Sequence, residues 1–410
     1  MKILWHSNAP FAPTGYGAQT AYFAPRIKAL GHDVAISAFY GLEGATIEWN
    51  GMTVYPTDHT RFGKAMLPYY VGHHANGEVD PRDVLVITLM DVWALNDHVD
   101  KLAPLRIASW VPVDHDPVPP AVAQFFAHTG AKPIAMSRFG EAKLREVGLN
   151  PLYVPHGVST EMFKPQTGRD DIREGMGIPK DAFVIGMVAN NQGNSPPRKA
   201  FPQVFQAFKV FQHDHPDAFL YLHSDVHGVN QGLKLKHLAD LCGIPPSAYG
   251  CSDQLLLHLG LPAEAMSYVY STFDVLASPS YGEGFGIPII EAQACGVPVV
   301  VTNWTAMPEL CGAGWLVEGD PWFDPHHGSF FMCPAVSEIV EAFEKAYLAR
   351  DDQELRVRAR EFALAYDVDR VMSDYWVPAL EELERPREVG PLVSANGNRA
   401  QRRAKAKVSA

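Results

Sequence analysis

Residues Phe273 to Glu309, FDVLASPSYGEGFGIPIIEAQACGVPVVVTNWTAMPE, decide how the rest of the chain is read. Asp274 to Ala277 is a short, mostly apolar run that suits a buried parallel strand, and Ser278 to Gly286 gathers the Pro, Ser and Gly that interrupt regular structure. The loop itself is Tyr281 to Gly286. Pro288 suits the first turn of a helix, where its missing N–H has no partner to lose. Gly296 suits the left-handed stop, and Pro298 excludes further helix. The spacing therefore predicts a helix over 287–295, followed by a second strand.

A glycine loop that enters a helix N-terminus points several backbone N–H groups and the positive end of the helix dipole at one spot. That spot suits a phosphate. Two carboxylates accompany it, Glu283 in the loop and Glu291 on the helix, with seven residues between them. Carboxylates repel phosphate, so they are expected to hold another part of the ligand. Glycosidases also use paired carboxylates, but on opposite sides of the bond they break. Here both address one ligand from one side.

The chain has 410 residues, enough for two domains that each bury a core. Charged residues make up 20% and the mean hydropathy is -0.09, as in ordinary soluble proteins. With 34 basic against 46 acidic residues the net charge is -12, which argues against a nucleic-acid or anionic-membrane surface as main partner. Five cysteines without C-x-x-C spacing suggest neither a disulfide framework nor a zinc site. The start, MKILWHSNAPFAPTGYG, has no signal-peptide pattern, and no segment approaches the roughly 18 apolar residues of a spanning helix. A reducing, cytoplasmic location is expected, with peripheral membrane contact left open.

GEGFGIPIIEAQACGVPVV resembles the sugar-nucleotide site of retaining glycosyltransferases of the GT-B fold, in particular family 4 (glycosyl transferases group 1). The resemblance implies an α/β protein with two doubly wound, Rossmann-like domains facing a central cleft. It also implies roles. Glu283 and the turn Gly284, Phe285, Gly286 and Ile287 would contact the donor sugar, and Glu291 the ribose.

The first strand, Lys2 to Ser7, leads through NAPFAPTGYGAQ into a helix that carries Pro25 and stops at Gly31. Gly15 and Gly17, with Tyr16 between them, match the family's glycine pair near the donor phosphates. They could equally make only a turn, but they sit at the carboxyl end of a strand, where such folds bind ligands. Short strands are expected at 84–89, 107–112, 133–136 and 152–154. Ser137 is placed to cap a helix over 138–147. YVPHGVSTEMFKP resembles the family's domain junction, which sets an N-terminal, acceptor-side domain at 1–162 and a nucleotide-sugar domain at 163–366. A helix over 367–384 would return to the first domain, the chain after Glu318 being read as mostly helical. Residues 385–410 are basic and poor in apolar side chains, as in a loose tail.

Departure of a diphosphate needs positive charge, which Arg and Lys can supply without metal. Lys199 matches the family's lysine. The Gly-Arg that often follows the strand is replaced by Ala189-Asn190, so Arg198 must reach in from a longer loop or the cation is missing. His115 in WVPVDHDPVPP resembles the family's histidine at the reaction centre and is read as a positioning group. Asp114, His115 and Asp116 make a poor chelator, because neighbours on an extended chain point to opposite faces. Asp91 and Trp93, with Tyr16, are candidates for the acceptor side. His73-His74 and His326-His327 show no interpretable partner spacing.

The resulting expectation is a metal-independent, retaining hexosyltransferase without a cofactor. It would use a UDP-, GDP- or ADP-sugar and a lipid, protein, glycan or small-molecule acceptor. The alternatives are another GT-B enzyme, an epimerase or phosphorylase, or a sugar-nucleotide-binding protein without turnover.

Overall fold

The computed structural model describes residues 1–193 and 196–385; the expected tail lies, from residue 386 on, outside them. Two parallel sheets carry the chain. The first holds β1 (Lys2–Asn8), β2 (Asp33–Tyr40), β3 (Ile47–Trp49), β4 (Met52–Tyr55), β5 (Leu85–Leu89), β6 (Arg106–Val111), β7 (Lys132–Ala135) and β8 (Leu152–Tyr153). Their order is 3-4-2-1-5-6-7-8, with β3 and β4 antiparallel. The second holds β9 (Phe183–Val188), β10 (Ala218–His223), β11 (Tyr249–Cys251), β12 (Val275–Ser278), β13 (Val299–Thr302) and β14 (Gly314–Val317), in the order 11-10-9-12-13-14.

Central strands such as β5 and β13 are buried along their whole length, which is why they read as unbroken apolar runs rather than alternating ones. In both sheets the first strand lies between the second and a later one. The winding reverses there, and a crevice opens at the carboxyl ends of the strands. This is the doubly wound GT-B plan.

The helical run from Val368 to Glu384 lies against the first sheet. Its Trp376 is buried, 4.9 Å from the Trp110 ring and 5.5 Å from the Trp5 ring, with Phe23 alongside at 5.8 Å. Asp367 starts this run and accepts a 2.6 Å hydrogen bond from the Thr160 hydroxyl.

The reading of the chain after Glu318 as mostly helical needs correction. Residues 319–334 form an antiparallel hairpin, β15 (Gly319–Asp324) and β16 (Ser329–Pro334), before the helices Val336–Leu348 and Gln353–Ala363 begin. Asp324, Ser329 and Phe331 are buried while Phe323 and Phe330 stay exposed. This is the period of two that a ribbon with one covered face imposes. The hairpin reaches the first domain, where Asp116 N–H donates to the Phe330 carbonyl at 3.2 Å and the Ser329 hydroxyl donates to the Pro117 carbonyl.

Candidate active site

The loop after β12 enters the helix Ile287–Ala294 through Gly286, whose φ of 117° a side chain would strain. Segments beyond β12 fix the loop. Thr302 donates to the Ser280 carbonyl at 2.7 Å, and Thr305 Oγ1 accepts from the Glu283 N–H at 3.0 Å. Gly282 and Gly284 serve a different purpose. A Cβ on Gly282 would stand 2.2 Å from the Asp114 carbonyl oxygen, and one on Gly284 2.4 Å from Pro112 Cβ. Both glycines let the end of β6 close against the loop.

Glu283 is buried and accepts from two cations. Arg198 NH1 lies 3.0 Å from Oε2, and Lys199 Nζ pairs with Oε1. Arg198 also donates to the Gly282 carbonyl at 2.6 Å. The side chain of Arg198 thus stands at the loop although Ala189-Asn190 replaces Gly-Arg. The turn ends at Ala200, a buried non-glycine residue at φ 56°, a conformation that persists only where its surroundings hold it.

The two glutamates have opposite environments. Burial works against the charge of Glu283, but Arg198 and Lys199 outweigh it and hold the carboxyl down at about 2. Among the described residues no cation pairs with Glu291. Burial pushes it up to about 7, only partly offset by the Tyr270 hydroxyl, which donates to Oε2 at 2.7 Å.

On the facing side, Thr14 caps the helix Gly15–Ala29 by accepting from the Gly17 N–H at 3.0 Å. A Cβ on Gly15 would lie 3.0 Å from Ile287 Cδ1, which puts the two helix N-termini face to face. Tyr16 shares the electrostatic surroundings of Asp91, Asp114, Arg198 and Glu283. Burial, then the neighbouring charge of Asp114, push Asp91 up to about 6. Phe285 turns its ring into the packing, 5.1 Å from His156 and 5.8 Å from Tyr366. Trp93 packs edge-on against His327 at 5.4 Å and His326 at 6.0 Å, so it covers the hairpin tip.

His115 is buried with both nitrogens engaged. Nδ1 lies 2.7 Å from Asp114 Oδ1 and Nε2 lies 3.3 Å from Asp324 Oδ2, while the ring stacks on Phe331 at 3.8 Å. Burial lowers the affinity of the ring for a second proton, but the two aspartates outweigh it and raise the pKa from its ordinary value. Asp116 turns away to Lys143 at 2.9 Å. Asp324, Tyr270 and Thr305 escaped the sequence reading, and His327 was noted there without a partner, because the hairpin that carries Asp324 and His327 was not read.

Residues 168–364 match the family described as Glycosyl transferases group 1. The likeness to this family covers the second domain. Among curated proteins, D-inositol 3-phosphate glycosyltransferase of Corynebacterium jeikeium is 30% identical over 256 residues, 60% of this chain and 53% of the relative. O-antigen chain mannosyltransferase B of Escherichia coli is 44% identical over 73 residues, 18% of this chain and 19% of the relative. At most about half the length of these relatives is spanned. Solved structures extend the likeness of fold to both domains. Sucrose-phosphate synthase of Thermosynechococcus elongatus aligns with a TM-score of 0.71 at 17% identity, covering 93% of this chain and 99% of that one. The Anabaena protein HepE, in complex with UDP-glucose, aligns with a TM-score of 0.69 at 16% identity over 93% and 100%.

Proposed function

We propose that the protein is a retaining glycosyltransferase that moves a hexose from a nucleotide-diphosphate sugar to an acceptor hydroxyl, with Arg198 and Lys199 meeting the diphosphate in place of a metal ion. One observation carries this reading. A glycine loop at a helix N-terminus holds an ionised glutamate between an arginine and a lysine, inside a cleft between two doubly wound domains. The HepE complex with UDP-glucose and the curated relatives' names support a nucleotide-sugar donor.

As the glycosidic bond stretches, negative charge grows on the diphosphate, and Arg198, Lys199 and the loop amides are placed to receive it. Glu283 and the amides of Gly284 to Ile287 hold the sugar hydroxyls, and Glu291 holds the ribose. Gly15, at the exposed start of its helix, gives the diphosphate close approach on the opposite side, while Gly17 lets the preceding loop fold back, since a Cβ there would stand 2.3 Å from the Ala12 carbonyl oxygen. The acceptor attacks the face that the diphosphate leaves, and a diphosphate oxygen takes its proton. Asp91, Tyr16 and Trp93 border the acceptor side, and His115 is a positioning group. The donor is a UDP-, GDP- or ADP-sugar, and the acceptor a lipid, protein, glycan or small molecule. No described helix is long and apolar enough to cross a membrane. Five free thiols suit a reducing, cytoplasmic compartment.

The test is turnover of α-linked hexose conjugates of UDP, GDP and ADP, with water or a trial polyol as acceptor, followed by proton NMR of the anomeric centre. The expected product keeps the α configuration, and added magnesium does not raise the rate. A β product, or turnover only with magnesium, would contradict the reading.

A further inference from the structure

We propose that His115, Asp324 and His327 form a binding site for one divalent transition-metal ion of the zinc class, shared between the two domains. The site is independent of the donor reading, because its ligands differ from those that meet the diphosphate. The sequence expectation was that no metal is held anywhere. His326-His327 lacked a partner there because the partner comes from the end of β6, more than two hundred positions away.

The ligand atoms converge. One nitrogen from each histidine and one carboxylate oxygen of Asp324 lie within 4.8 Å of one another, and His115 and Asp324 are buried. His115 Nε2 to Asp324 Oδ2 is 3.3 Å, close to the edge of a tetrahedron of metal–ligand bonds of about 2.0–2.1 Å. His327 Nδ1 hydrogen-bonds to the same Oδ2 at 2.5 Å, and exchanging its proton for an ion requires that pair to open by under about 1 Å. Two imidazoles and one carboxylate suit zinc and its neighbours rather than magnesium or calcium, which prefer all-oxygen shells. Three protein ligands leave a fourth position for water.

The surrounding groups are arranged as metal sites require. Asp114 accepts from His115 Nδ1 at 2.7 Å, the carboxylate–histidine contact that fixes the tautomer and presents Nε2. Asp324 Oδ1 is occupied by the His326 N–H at 2.9 Å, which leaves Oδ2 for the ligand role. In the neutral ring, with Nδ1–H given to Asp114, Nε2 turns a lone pair toward a carboxylate oxygen. Something positive must stand between them, either a proton or a cation. His327 is the most exposed of the three, with about 21% of its side chain open, and provides the entry path. An ion held here would tie the hairpin to the first domain and set how far the cleft opens.

Full-length protein dialysed against a chelator is titrated with zinc chloride by calorimetry and with cobalt(II) chloride by visible absorption. The expected result is one equivalent per chain and the visible bands of low-coordinate cobalt. Affinity should fall about 10-fold or more in Asp324→Asn and in His327→Gln. It should be kept in His215→Gln, a histidine paired with Glu344 on another face. If Asp324→Asn does not fold, His327→Gln decides, since that ring is partly exposed. No uptake by the unmodified protein, or undiminished affinity in the folded variants, would overturn the proposal. The line from Asp114 through His115 and Asp324 to His327 would then be held by protons alone.

Discussion

Arg198 and Glu283 meet at 3.0 Å although 85 positions separate them in the chain. The contact joins the loop after β9 to the loop after β12, the two strand ends beside the point where the second sheet reverses its winding. Lys199 completes it from the same turn. One carboxylate faces two cations here, and in the proposed reading an incoming diphosphate would compete with it for them.

Removing one cation should therefore weaken the donor more than the fold. Lys199→Ala leaves Glu283 its arginine, so the folded protein persists. Affinity for the nucleotide diphosphate should fall by the roughly 1.5–3 kcal/mol of a hydrogen bond to a charged group, about 10- to 150-fold. Calorimetry reads this directly, and an unchanged dissociation constant would remove Lys199 from the site.

Glu291 gives a pH dependence with a definite sign. Its folded value of about 7 lies above the ordinary 4.5, so the fold favours the protonated form. That contribution to stability is complete below pH 4.5 and is lost as pH rises through about 7. Ribose hydroxyls donate hydrogen bonds and are better received by the carboxylate. Nucleotide affinity is thus expected to rise between pH 6 and pH 8, and Glu291→Gln to flatten the rise. A wild-type affinity that does not change over this interval would detach Glu291 from the ribose.

Gly284→Ala tests whether the two domains close on the loop. The new methyl would meet Pro112 at 2.4 Å, backbone-anchored on the other domain. Overpacking of this kind costs about 1–3 kcal/mol, relieved here by opening the cleft. A lower melting temperature with a larger radius of gyration in solution scattering is expected. An unchanged scattering curve and melt would mean that the domains do not approach here.

Trp376→Ala should cost about 3–5 kcal/mol, because it empties the space between Trp5, Trp110 and Phe23. Chemical denaturation followed by tryptophan fluorescence measures it. A loss under 1 kcal/mol would mean that the last helical run does not brace the first sheet.

The fold was legible where local chemistry is strong. Pro288, Gly286 and Gly296 mark the ends of one helix, and the unbroken apolar runs of β5, β9 and β13 are what burial on both faces demands. The hairpin was not read, because Pro321 and Pro325 and a polar His-His-Gly tip interrupt its alternation into pieces of two or three residues. Its buried Asp324 then stayed invisible, and with it the second partner of His115. The opposite environments of Glu283 and Glu291 also escaped the sequence. Which carboxylate meets a cation depends on Arg198 and Lys199 folding back from another strand end, and which stays unpaired depends on Tyr270.

The central claim is that a nucleotide-diphosphate sugar seats between the Glu283 loop and the helix that begins at Gly15. Calorimetric titration of UDP, GDP and ADP, and of their hexose conjugates, into the full-length protein tests it most directly. The account predicts that one base binds, that its sugar conjugate binds as well, and that both lose affinity in Lys199→Ala. Failure of all three nucleotides to bind at roughly 1 mM, about 4 kcal/mol of binding energy, would contradict it.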